Sequence, residues 1–249
     1  MITEDNQYTL TKEYDMKWYE VDCQAILKPS ALLNHLQDIA TKSADRFGIG
    51  MEFLAPKNYA WYLIKYHMEF NNYPQNIESF VLKTESRGST RLFAIRDFEM
   101  WSNDQKTLLG RMSSQWAMID LEDKSFVKLS EIKKIPPLQK REDDVIFSKV
   151  SVSDEYDKEK EFEIRYDDID INQHVNNSNY IIWAFEVLSA EFRKTHKPKT
   201  IDMVYKKDIS YGNKVLSKLK TDGEKTFHLL CNKESEEQLC VIEIVWDKL

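Results

Sequence analysis

The chain of 249 residues has little of what marks several common protein classes. Its three cysteines, Cys23, Cys231 and Cys240, are an odd number without CxxC spacing. That argues against a disulfide framework or a cysteine-based structural zinc, and it fits a reducing cytoplasm, the expected location. No apolar run approaches the roughly 18 residues of a spanning helix, so no membrane span is expected. The start, Met1-Ile2-Thr3-Glu4-Asp5-Asn6, lacks the basic residues and apolar stretch of a secretory signal. Basic residues are in the minority, 35 Lys and Arg against 42 Asp and Glu, for a net charge of −7. Neutralising phosphates supplies most non-specific nucleic-acid affinity, so nucleic acid is not an expected partner. The histidines show no metal-ligand spacing, and neither a metal nor a cofactor is expected.

What is present reads as ordinary globular composition: 42% hydrophobic, 12% aromatic and 31% charged. The length allows one large domain or two of about 120 residues, each able to bury a core. A search for internal repetition supports two. Lys17-Trp18-Tyr19-Glu20-Val21-Asp22-Cys23-Gln24-Ala25-Ile26-Leu27 stands 148 positions before Arg165-Tyr166-Asp167-Asp168-Ile169-Asp170-Ile171-Asn172-Gln173-His174-Val175. Asp22 falls on Asp170, and both segments run into a helical pattern.

The first helix is expected from Pro29, suited to an opening turn, to about Phe47, with Gly48 as its stop. Leu32, Leu33, Leu36, Ile39, Ala40 and Phe47 form its apolar stripe. The second is expected from about Ser178, capped by Asn177 or Ser178, through Phe192 to just before Pro198. After each helix the sequence turns to β-branched and aromatic strands. In the first half these cover 59–70, 80–86, 92–101 and 108–121; in the second, 201–211, 215–221, 226–232 and 239–246. Asp222-Gly223 is a hairpin signal. Residues 128–160, with Pro136-Pro137 and mixed charge runs, read as an extended linker. The expected architecture is α+β: two tandem repeats, 1–127 and 161–249, each a long helix wrapped by an antiparallel sheet.

The most unusual stretch is Asp168 to Asn177. Were it extended, Asp170, Asn172 and His174 would share one face, just before a helix N-terminus. Such a group can do hydrolytic work: His or a carboxylate takes a proton from water, Asn holds water or carbonyl, and helix-start N–H groups hold an oxyanion. The alternative is a turn, because Asp and Asn side chains bond their own backbone. Against it, Gln24 and Ile26 stand opposite Asn172 and His174, whereas a shared turn would keep its residues in both halves.

The string Asp170-Ile171-Asn172-Gln173-His174-Val175-Asn176-Asn177, followed by Tyr180, resembles the signature of acyl-acyl carrier protein (acyl-ACP) thioesterases of plant plastids and bacteria. Trp116, Tyr73-Pro74 and Tyr205-Lys206-Lys207-Asp208 are further echoes, and the resemblance runs from about Tyr8 to Trp246. It implies two hot-dog repeats with the catalytic site in the second and the acyl tail in the first. Asn172 and His174 match the family's Asn and His, Asp170 its upstream Asp, and Asp208 its second acidic residue. Plant members typically carry Glu then Cys where this chain has Asp208-Ile209, so a Cys–His nucleophile is excluded there and water attack remains. The implied reaction, part of fatty acid biosynthesis, is hydrolysis of acyl-ACP to free fatty acid and holo-ACP, without a metal or other cofactor.

Asn176, Asn177, Trp61, Arg87 and Arg91 are the expected substrate contacts. Arg87, Arg91 and nearby Arg96 would meet a pantetheine phosphate or an acidic carrier protein; otherwise they flank a strand-connecting turn. Trp61, with Met51, Phe53, Leu54 and Tyr62, lines an acyl tunnel or is simply core. The alternatives are an acyl-coenzyme A thioesterase, a hydratase of the same fold and a non-catalytic lipid-binding module. Exposed sheet edges would allow a homodimer.

Overall fold

The computed structural model describes residues 2–3, 8–74, 77–145, 147 and 149–249; most of the polar start thus lies outside the described residues. The chain divides into two compact units, residues 1–146 and 147–249.

The first unit contains β1 (Ile2–Thr3), β2 (Thr9–Tyr14), α1 (Pro29–Arg46), α2 (Met51–Leu54), β3 (Tyr59–Phe70), β4 (Phe80–Ser89), β5 (Phe93–Ser102), β6 (Leu108–Asp120) and β7 (Ser125–Phe126). Its strands pair antiparallel in the order β1-β2-β4-β5-β6-β3, with β7 on β6. Pro29 opens α1, and Ala31, Leu32, Leu33, Leu36, Ile39 and Ala40 are buried along it where it packs on β2 and β4. Burying a side chain such as Leu36 is worth about 1.5–3 kcal/mol, which is what holds the helix to the sheet. Gly48, at φ +76°, follows the C-cap Phe47 in the left-handed region that ends helices.

The second unit contains β8 (Lys158–Glu163), α3 (Asn177–Phe185), α4 (Ala190–Thr195), β9 (His196–Tyr205), β10 (Lys214–Asp222), β11 (Lys225–Asn232) and β12 (Gln238–Lys248). Its strand order is β9-β12-β11-β10-β8, again antiparallel, and α3 packs on β10 and β11. Asp222 pairs with Lys225 across a two-residue turn that includes Gly223.

Three features differ from the sequence expectation. The second helix is broken after Phe185, because the Ser189 side chain accepts the Phe192 N–H (3.2 Å) and starts α4 afresh. The apolar stripe continues through the break: Phe192 packs edge-on against Trp246, with ring centroids 5.1 Å apart. Strand β9 begins at His196 and accommodates Pro198 where its register with β12 shifts. Finally, segment 128–160 does not stay solvated along its length. Leu129 and Ile135 are buried with Ile49, Leu54 and Met118, Val150 with Leu229 and Val241, and Lys158–Glu163 forms the edge strand β8. Five of the six residues of β8 are exposed Lys or Glu before and after Phe162, the charge pattern that keeps an edge from pairing further and that imitates a linker.

Candidate active site

The segment around Asp170 is a turn, and the same turn occurs in both units. Ile169 bridges Val175, the Asp170 N–H donates to His174 O (2.8 Å), and Asp170 Oδ1 accepts the Asn172 N–H (2.8 Å). Gln173 takes φ +65°. In the first unit Val21 bridges Leu27, the Asp22 N–H donates to Ile26 O (2.9 Å), Asp22 Oδ1 accepts the Gln24 N–H (2.8 Å), and Ala25 takes φ +58°. The lead-in repeats as well. Trp18–Glu20 and Tyr166–Asp168 are single 3-10 turns whose closing carboxylates accept the N–H of Lys17 (2.9 Å) and Arg165 (2.8 Å). Glu20 O and Asp168 O then receive the N–H of Lys28 and Asn176, the residues just before α1 and α3.

The expectation that a shared turn would keep its residues in both halves is therefore corrected. The turn needs only Asp at its first corner and tolerates Gln or Asn, Ala or Gln, Ile or His beyond it. Nor do Asp170, Asn172 and His174 project together by strand alternation, because the backbone folds back between them. Asp170 serves first as the turn's acceptor, as Asp22 does.

What separates the units is the pair of side chains that meets across the turn. Past β9 the chain turns back, and Ile209, buried at 5% exposure, accepts the Val175 N–H through its carbonyl (2.9 Å). That bond fixes Asp208 beside the turn, where its Oδ2 lies 2.8 Å from His174 Nε2. Both side chains are about one-third exposed, 33% and 37%. In the first unit the chain leaves β3 in the same way: the Asn71 and Asn72 N–H groups share Leu109 O, as those of Lys206 and Lys207 share Leu239 O. Counting on from those pairs, Asp208 corresponds to Tyr73, which is buried and stacked on Phe70. Ile26 and Tyr73 thus replace the His–Asp pair.

Tyr180, 2% exposed, reports the charge around this pair. Burial pushes its hydroxyl far above the usual tyrosine range, and Cys240, Asp208 and Asp170 push it further. The Tyr205 hydroxyl donates to Asn177 O (3.1 Å), tying β9 to the first turn of α3. Asp168, 1% exposed, holds Arg165 and, through its carbonyl, the Asn179 amide (3.1 Å). The sequence carried a sign of this support in the acidic residue that precedes each turn, Glu20 and Asp168.

The remaining site expectations divide. Asn172 is exposed on the turn. Asn176, not Asn177 or Ser178, caps α3: its Oδ1 accepts from both the N–H and the hydroxyl of Ser178 (2.9 Å each). The N–H groups of Val175, Asn176, Ser178 and Asn179 are all donated within the protein, so the helix start offers few of the oxyanion donors expected there. Arg87 does not await a phosphate; it is buried, ion-paired with Asp97 and, at 2.7 Å, with Asp144. Gly88 follows it in a β4 bulge, and the backbone of Pro136-Pro137 runs close alongside. Arg91 is exposed, and its carbonyl accepts the Leu129 N–H (2.8 Å). Trp61 lines a recess in the first unit, its Nε1 donating to Ile49 O (3.1 Å). Cys231 and Cys240 are buried and Cys23 exposed. Among the described residues no helix is long and apolar enough to cross a membrane, and no cluster of His, Cys, Asp or Glu could hold a metal ion.

Comparison with known proteins agrees with this duplicated architecture. Residues 7–134 match the family model of the acyl-ACP thioesterase N-terminal domain, and residues 151–248 that of the C-terminal domain. An oleoyl-acyl carrier protein thioesterase of Coriandrum sativum is 23% identical over 232 residues, 86% of this chain and 63% of the relative. A palmitoyl-acyl carrier protein thioesterase of Cuphea hookeriana is 25% identical over 218 residues, 79% of this chain and 51% of the relative. The chain thus spans about half to two thirds of the length of these curated relatives. Among solved structures, a 12:0-ACP thioesterase from Umbellularia californica superposes with a TM-score of 0.86 at 17% identity, covering 99% of this chain and all of that one. An acyl-ACP thioesterase from Bacteroides thetaiotaomicron gives 0.82 at 24%, covering 96% and 98%. These likenesses establish the hot-dog fold. With more than half of its length matched by the family's own domain models, the chain belongs to the acyl-ACP thioesterase family.

Proposed function

We propose that the protein hydrolyses acyl-ACP thioesters to free fatty acid and holo-ACP, with His174 and Asp208 activating the water. The observation that carries this reading is the 2.8 Å contact between His174 Nε2 and Asp208 Oδ2, in the one repeat that keeps both residues. A proton on Nε2, shared with Asp208, leaves Nδ1 as the basic nitrogen. His174 takes a proton from water as the water oxygen attacks the thioester carbonyl, and Asp208 stabilises the imidazolium that forms. Collapse of the tetrahedral intermediate breaks the C–S bond, and the His174 proton passes to the departing phosphopantetheine thiolate. Asn172, exposed on the turn, holds the substrate carbonyl or the water. Asp170 contributes by fixing the turn that carries Asn172 and His174. The substrate partner is an acyl carrier protein, and the reaction belongs to fatty acid biosynthesis in the cytoplasm.

The test is thiol release from matched acyl-ACP and acyl-coenzyme A substrates of several chain lengths, with His174→Ala as control. His174-dependent hydrolysis that favours the carrier protein supports the proposal. Preference for coenzyme A moves the activity to the other thioester class, and turnover unchanged by His174→Ala removes the assigned base.

A further inference from the structure

The core of the first unit holds a charge without a counter-ion. Along β5, Arg96, Phe98 and Met100 share the buried face, and Arg96 is only 7% exposed. Its Nη1 donates to two neutral hydroxyls, Ser43 Oγ on α1 (3.0 Å) and Thr84 Oγ1 on β4 (3.1 Å). The adjacent Asp97 points to the opposite face of the strand, where it pairs with Arg87 and accepts from Ser113 (2.7 Å). Among the described residues no carboxylate forms an ion pair with Arg96. Burial lowers its pKa to about 10, still a cation at neutral pH, with Tyr66 and Asp97 opposing that shift. The Tyr66 hydroxyl, in the same core and near enough to feel the Arg96 charge, is buried without a hydrogen-bond partner.

Arg96 also lines the recess that contains Trp61, together with Ala40, Ala44, Ala94 and Trp116. The recess encloses about 520 Å³ of space free of atoms, part of it open to solvent. Its cavity proper measures about 80 Å³, against the roughly 10–15 Å³ that a single water requires. Its walls are mainly apolar, and its one charged group is a guanidinium satisfied only by hydroxyls. An isolated buried charge is unfavourable by several kcal/mol unless an opposite charge joins it, and Arg is the side chain suited to a planar carboxylate.

We propose that this recess binds an apolar chain through a carboxylate terminus seated on Arg96. Two sources share that chemistry. One is a free fatty acid entering head first, the product of the reaction proposed above. The other is the distal carboxylate of a dicarboxylic acyl chain. The binding itself is independent of hydrolysis, so its test stands whether or not that reading holds.

Titration of the full chain with dodecanoate and with methyl dodecanoate, followed by calorimetry and by fluorescence of Trp61 and Trp116, reads the site directly. The acid is expected to bind at least about tenfold more tightly than the ester, as hydrogen bonds to a charged group allow. That preference should vanish in Arg96→Met and persist in Arg96→Lys. Ala44→Phe, which fills the recess and leaves the charge in place, should abolish binding of both and serves where Arg96→Met fails to fold. Equal affinity of wild type for acid and ester, or undiminished dodecanoate binding to Ala44→Phe, overturns the proposal. Kinetics then separate the sources. Inhibition by dodecanoate that weakens about tenfold in Arg96→Met identifies the free acid. A KM for the dodecanedioyl thioester about tenfold below that of the dodecanoyl thioester, reversed in Arg96→Met, identifies the dicarboxylic chain.

Discussion

Replacing Asp208 by Asn isolates the charge that faces His174 while keeping the shape of the side chain. In the resting protein the contact is an exposed one, with 33% and 37% of the two side chains open to solvent. A pair so placed contributes at most about 1 kcal/mol to folding, so the variant should stay within a few degrees of the wild-type melting temperature. Catalysis asks more of it. When His174 takes the proton, an imidazolium faces whatever stands at position 208. At an effective dielectric near 20, a charge pair about 4 Å apart is worth about 4 kcal/mol. Removing one charge should therefore lower kcat by about 10²–10³, since each 1.36 kcal/mol is tenfold. KM should change little, because Asp208 acts through His174 and not on the acyl chain. Asp208→Glu should restore part of the rate. The assay is steady-state thiol release beside a thermal melt. A folded Asp208→Asn protein with kcat within threefold of wild type would refute the assignment of His174 as a base oriented by Asp208.

Three further outcomes are expected. Asp22→Ala and Asp170→Ala should each lose about 1 kcal/mol in urea unfolding, since each removes the acceptor at the same corner of the duplicated turn. Only Asp170→Ala should also slow turnover, because only that turn carries His174; equal effects of the two on kcat would contradict the split between units. Gly88→Ala should destabilise by about 1–3 kcal/mol: φ is +97°, and a Cβ there would lie 2.7 Å from Pro136 O, backbone that cannot swing aside. A wild-type melting temperature for Gly88→Ala would show that segment 136–137 does not bind β4 as described. His228, 2% exposed, has its pKa lowered by burial from 6.5 to about 3. The unfolded chain takes up a proton there below about pH 6.5 while the folded chain stays neutral. Stability should therefore fall as pH drops from 6.5 towards 3, by up to about 1.4 kcal/mol per unit from this group. His228→Leu should flatten that slope in denaturation measured across the window, and an unchanged slope would exclude His228 as its source.

The first helix, with its proline start, apolar stripe and glycine stop, was legible in the sequence because each signal is local and the helix is long enough to repeat its period. So were the other long strands, the Asp222-Gly223 turn and the repetition at a spacing of 148 positions, whereas the strand expected at 201–211 lies at His196–Tyr205 and leaves Asp208 beyond its end. The string from Asp170 to Asn177 also identified the family before any fold was known, since its residues stand at fixed spacing. Other features depended on contacts between distant segments. Leu129 and Ile135 are isolated apolar residues among charges, and only their burial beside Ile49 and Met118 removes them from a linker. Ser189 breaks the second helix although the apolar stripe runs on to Phe192, because one cap bond outweighs periodicity. Asp170 and Asp208 look alike in sequence. Folding gives one the corner of a turn and the other the face of His174, because the Val175–Ile209 bond decides which carboxylate arrives there. Arg87 and Arg96 likewise stand nine residues apart as plain basic residues. The pleat of the sheet puts Arg87 with Asp97 and Asp144, whereas Arg96 lies on the helix-facing side with only Ser43 and Thr84. Spacing along the chain determined which residues this protein has to work with, and three-dimensional pairing decided which of them remain charged without a partner.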